Sequence, residues 1–190
     1  MLTQEEVLMF FKSKKRIAEE IAMEIEIGFL PFFQEMGRVA PNGKFHPPDG
    51  FYFDNYILGF VITSASMLRD YKFKMKNAAG EKKSMLLLDV LESLSIEPTE
   101  AKRLRDYHFN NWHALQQKTE YCDGVDHALF IFGLSNGMTS QTHPAPVIQQ
   151  SLLEAENLVA SGLAYETKAP QIAALAKNTI GAHIRANYSS

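Results

Sequence analysis

From Thr3 to about Gly37, apolar residues recur at three- and four-residue steps (Val7, Phe10, Ala18, Ile21, Ile25, Phe29, Phe32, Met36), the spacing that lines one face of an α-helix. Unbroken, such a helix would measure about 50 Å at 1.5 Å per residue, more than a compact domain's width, so a break or kink is expected at Gly28 and Pro31. Residues 38–53, RVAPNGKFHPPDGFYF, combine turn formers with aromatics and predict an ordered loop whose rings need a surface to bury against. Asp54 suits the N-cap of a second helix, traced by Ile57, Phe60, Val61, Met67, Leu68, Tyr71 and Met75 and ending near Lys76. Arg69, Lys72, Lys74 and Lys76 crowd its C-terminal end, where the helix dipole favours cations.

After a turn at 77–83, Ser84 is placed as the cap of a short helix carrying Leu87, Leu88, Leu91 and Leu94. Pro98 suits the first turn of the next helix, whose stripe is Ala101, Leu104, His108, Trp112 and Leu115. The run ALFIFGL, 128–134, is apolar on every side and predicts a central buried helix with Asp123 at its N-cap. A loop over 135–146 leads to a helical hairpin. One arm carries Val147, Ile148, Leu152, Ala155, Leu158 and Val159, and the other Ile172, Leu175, Ala176, Ile180 and Ile184. The pattern is all-α: a compact bundle of six or seven helices with a long N-terminal helix, a C-terminal hairpin and a single domain over 1–190.

Composition narrows the function classes without naming one. A net charge of -3 and a pI near 6.1 supply no general attraction to nucleic acid or to an anionic membrane. The longest apolar runs, ILGFVI and ALFIFGL, fall far below the roughly 20 residues that cross a bilayer. A lone cysteine, Cys122, forms no intramolecular disulfide, and the start MLTQEEVLMFFKSKKR reverses the charge order of a secretory signal; both favour a cytoplasmic setting.

Three constellations carry candidate chemistry. In EYCDGVDHALF, Glu120, Asp123 and His127 are metal-ligand types at i, i+3 and i+7, but bundle metal sites are usually built on Glu-x-x-His, which the chain lacks. Helix capping by Asp123 and Asp126 explains the acids better, without a metal, and His127 then reads as a satisfied core histidine. His108, Trp112, Phe60 and Tyr56 are candidates for an apolar ligand pocket; His113, about 140° around the helix from His108, does not pair with it. Residues 85–109 have the outline of a helix-turn-helix with Lys102, Arg103 and Arg105 on its second helix, diluted by Asp89, Glu92, Glu97, Glu100 and Asp106, so nucleic acid is a disfavoured partner.

The aromatic cluster of the first helix and the loop after it reads first as that loop folded over the core. Of the functional options, an interface through Phe10, Phe29, Phe32, Phe33, Phe45 and Phe51 is preferred to a ligand cavity, because a long first helix overhanging its domain needs its apolar stripe covered. The first expectation is therefore a homodimeric regulatory or adaptor protein working through protein contacts. The second is a helical protein or enzyme enclosing an apolar, cofactor or metal ligand, and the third is a DNA-binding regulator. No cofactor or reaction is legible in the pattern.

Overall fold

The computed structural model describes residues 14–39, 47–72, 80–135, 145–162 and 168–189. Helix α1 covers Lys14–Glu35, α2 Asn55–Tyr71, α3 Gly80–Glu92, α4 Pro98–Leu115, α5 Thr119–Ser135, α6 Pro146–Ala160, α7 Lys168–Asn178 and α8 Ile180–Tyr188. Taken as one helix interrupted at Thr179, α7 and α8 bring the total to seven among the described residues, with no strand. The all-α class, the long first helix and the C-terminal hairpin of α6 and α7 agree with the hydrophobic periodicity.

Helix α1 runs through Gly28 and Pro31 without interruption, contrary to the expected break. Proline removes one intrahelical hydrogen bond, but Phe29, Phe32 and Phe33 bury against the core on either side of it and hold the segment helical. The part of the predicted helix before residue 14 lies outside the described residues, as do the last positions of the second, 73–76.

The central element is α2, not α5. Tyr56 to Ala65 are all buried, whereas in the apolar end of α5 Ala128 is buried, Leu129 is 43% exposed and residues 130–134 are half-buried. The N-cap of α2 is Asp54, whose Oδ1 accepts from the Ile57 backbone N–H at 3.1 Å. Two other expected caps are corrected. Ser84 lies inside α3, and Asp123 lies in the second turn of α5, which begins at Thr119 with the Lys118 carbonyl accepting from the Cys122 N–H. Both segments started earlier because residues with adequate helix propensity preceded the polar cap candidates.

Helices α2 and α5 make the most intimate pair in the fold. A Cβ at Gly59 would stand 2.3 Å from the Tyr121 carbonyl oxygen, and one at Gly124 would stand 2.1 Å from the Tyr56 carbonyl oxygen. Only glycine permits this backbone approach. Around the pair, the loop before α2 turns at Gly50, with φ of 75°, and inserts Phe51 into a ring of aromatics. The centroid of Phe51 lies 5.5 Å from Phe29, 5.3 Å from Phe33 and 5.2 Å from Tyr188, each pair edge-to-face.

Glu26 joins α1 to two distant segments from a buried position. Its carboxylate accepts from Tyr52 Oη at 2.9 Å, from the Ser95 N–H at 2.6 Å and from Ser95 Oγ at 2.8 Å. Burial, followed by the nearby Glu26 charge and the hydrogen bond to it, raises the Tyr52 pKa well above its ordinary value, so the phenol stays a donor.

Two substitutions test this account by urea unfolding. Gly124→Ala should lower stability by about 3 kcal/mol, because backbone rather than a flexible side chain blocks the methyl. Glu26→Ala should cost about 2 kcal/mol by stranding the buried Tyr52 hydroxyl and releasing the Ser95 donors to solvent, with Glu26→Gln losing less. A neutral Gly124→Ala would show that the two helices can separate freely.

Candidate functional site

The stripe of α4 buries Ala101, Leu104, His108 and Leu115, but its C-terminal half also turns large aromatics outward. Phe109 is 67% exposed and Trp112 38% exposed. Beyond the tight turn at 116–118, α4 and α5 diverge instead of packing along their lengths. The divergence leaves two hollows that share Leu87 and Trp112. One, about 430 Å³, is bordered by Ile62 and Met67 of α2, Trp112 of α4, and Tyr121, Val125 and Leu129 of α5. The other, about 380 Å³, is bordered by Leu87, Leu88, His108, Phe109, Trp112 and His113. These volumes suit small-molecule ligands, and the walls are mainly apolar.

Among the described residues, polar groups buried in these walls lack hydrogen-bond partners: neither ring nitrogen of His108 has one, although the residue is only 6% exposed, and the buried Tyr121 hydroxyl is likewise unpartnered. Both rings meet Trp112: His108 edge-to-face at 5.2 Å and Tyr121 at 6.4 Å. Burial lowers the His108 pKa to about 4, so its imidazole is neutral at physiological pH. Burial, with a smaller contribution from Cys122, raises that of Tyr121 to about 12. A buried imidazole with two unmet nitrogens costs stability that a leucine or phenylalanine would not.

A second polar cluster ties α8 to the start of α2. Asp54 Oδ2 lies 3.1 Å from His183 Nε2 and accepts from Tyr188 Oη at 3.2 Å; the Tyr56 ring stacks on His183 at 4.2 Å, and Tyr56 Oη lies 2.8 Å from His127 Nδ1. Burial opposes ionisation of Asp54. The hydrogen bonds from His183, the Ile57 N–H and Tyr188, together with the His183 charge, outweigh it and hold the carboxyl below its usual range. Burial likewise lowers His127 against the opposing charges of Asp123 and Asp126, with His183 adding to the lowering. These side chains are engaged with one another, and the cluster reads as a tie between helices.

Glu120, Asp123 and His127 are not brought together as a metal site. The two acids are exposed, His127 faces Tyr56, and no group of three potential ligands gathers among the described residues. The expected pocket set also divides: His108 and Trp112 meet at the cleft, while Phe60 packs beside Phe29 in the core and Tyr56 joins the Asp54 cluster. Phe29, Phe32, Phe33 and Phe51 are buried in the chain's own core, which removes them from the expected interface; Phe10 and Phe45 lie outside the described residues. The basic face of the helix-turn-helix outline is occupied too, with Arg105 Nη1 3.1 Å from Glu92 and Arg103 over the Phe53 ring.

Sequence reasoning missed Tyr121 and the pair Gly59 and Gly124. A glycine inside an otherwise regular helical pattern was the available signal for a close crossing. Comparisons with protein-family models, curated proteins and solved structures find no significant match for this chain.

Two outcomes follow from the charges. His108→Phe should raise the melting temperature and flatten the acid limb of stability, because a histidine whose folded pKa is about 4 against 6.5 unfolded loses stability as pH falls through that window. Thermal melts across that range measure both. Asp54→Asn should cost about 1 kcal/mol at neutral pH, with the deficit vanishing as pH drops through the depressed carboxyl pKa.

Proposed function

We propose that this protein binds a small, predominantly apolar molecule in the cleft formed by α2, α3, α4 and α5, with Trp112 as the wall that both hollows share. The observation that carries the reading is the pair of buried, unpartnered polar groups, His108 and Tyr121, flanking a partly exposed tryptophan. Polar groups buried without partners are rare in native structures and call for an explanation. Two of them at one apolar cleft fit the pattern of ligand sites, where a mainly hydrophobic wall carries a few convergent polar groups.

Trp112 is the one tryptophan of the chain, so its emission reports on this cleft alone. Titration with the neutral fluorescent probe phenylnaphthylamine should quench Trp112 and enhance the probe saturably, with Trp112→Ala weakening binding about tenfold. Asp123→Ala should leave it unchanged. Absence of saturable binding by the intact protein would sink the reading.

A cytoplasmic homodimer with a regulatory or adaptor role is the second reading, now supported by a different surface. Met23 and Ile27, one helical turn apart on α1, are each more than half exposed. A native mass spectrum should then show a dimer that Met23→Glu with Ile27→Glu converts to a monomer; a monomeric wild type removes this reading.

A further inference from the structure

We infer that the ligand of the cleft is uncharged: an apolar body that lies against Trp112 and ends in a hydroxyl seated on His108. This inference rests on the reading of the cleft as a binding site and adds the chemistry of its occupant.

No lysine or arginine borders either hollow among the described residues; His113 stands exposed beside the smaller one, and the one carboxylate, Asp126, is exposed at the edge of the larger. A carboxylate, sulfate or phosphate head would therefore find only His113, across solvent, in the smaller hollow and a like charge at the larger. An ammonium head would find only Asp126, where solvent screens the attraction, and nothing anionic beside His108.

A neutral imidazole presents one N–H donor and one bare nitrogen acceptor, and those of His108 are both unmet among the described residues. A hydroxyl satisfies whichever nitrogen it reaches, accepting from the N–H or donating to the bare nitrogen. An ether or ketone oxygen can serve only the N–H. Leu87, Leu88 and Phe109, which border the same hollow, have no side-chain polar atom, and the polar side chains that border it, Asn110, Trp112 and His113, are exposed where His108 is buried. The Tyr121 hydroxyl offers a second neutral anchor in the adjoining hollow.

The His108 nitrogens are closed to solvent and the Trp112 ring lies edge-to-face with the imidazole, so seating a hydroxyl on His108 requires the wall around it, Trp112 included, to shift. Trp112 is partly exposed already, which keeps its displacement inexpensive, and its emission must change when the ligand seats.

The test is displacement of bound phenylnaphthylamine by four ligands each built on a ten-carbon chain: decanol, decyl methyl ether, decanoate and decylamine. Decanol should displace the probe at about tenfold lower concentration than each of the others. His108→Phe should still bind the probe but erase the gap between decanol and its ether, while His108→Gln, which keeps a donor and an acceptor, should preserve it. Equal or tighter binding of decanoate or decylamine overturns the inference, as does a decanol preference that survives in His108→Phe. Probe binding with a flat headgroup order removes this inference alone, whereas failure of the probe to bind removes the binding reading with it.

Discussion

The close crossing of α2 and α5 is the constraint on which the rest of the architecture depends. Two glycines, Gly59 and Gly124, let each backbone press against a carbonyl of the other helix at a distance no side chain could occupy. The crossing is specific in register as well as in distance, because the carbonyls involved belong to Tyr121 and Tyr56. Seating α5 there buries Tyr121 at the cleft and sets Tyr56 beside His127. One backbone contact thereby positions residues of both polar clusters.

Polar ties of long sequence separation hold the outer helices to this pair. Glu26 connects α1 to the loop before α2 and to the turn between α3 and α4. Asp54 caps α2 and receives His183 and Tyr188 from α8. Each carboxylate has several donors, the condition under which a buried acid adds order instead of penalty. Apolar packing can slide by a rotamer, but these bonds hold at one distance and one angle, so they specify which face of each helix meets the core.

Against that background the cleft is an exception. Buried Glu26, Arg69, Ser151 and Thr179 make hydrogen bonds, whereas the His108 ring and the Tyr121 hydroxyl at the cleft, with Ser64 Oγ on α2, have no partner among the described residues. The divergence of α4 from α5 supplies the space, and the outward aromatics of α4 supply the wall. A sequence selected for stability alone would place an apolar side chain at 108. Keeping an imidazole there is the kind of local inconsistency that accompanies function.

Much of the fold was legible because helices announce themselves locally. The stripe from Ala101 to Leu115, Pro98 at the start of its helix, the Asp54 cap and the C-terminal hairpin all follow from spacing and from residues within a few positions of one another. The site was half legible. His108 and Trp112 stood out as polar or amphipathic residues on an apolar stripe, but nothing local said that Tyr121 would join them or whether the aromatics Phe29, Phe32, Phe33 and Phe51 would cover the chain's own core or a partner. Likewise Glu120, Asp123 and His127 share a helix and still do not converge. By itself the sequence determined which segments are helical and which stripes seek burial, since backbone hydrogen bonds and side-chain periodicity act within a few residues. The tertiary structure alone decided which helix lies at the centre, which histidine loses its partners and where a cleft opens, because those depend on how closely two backbones meet, and that distance is set by residues far apart in the chain.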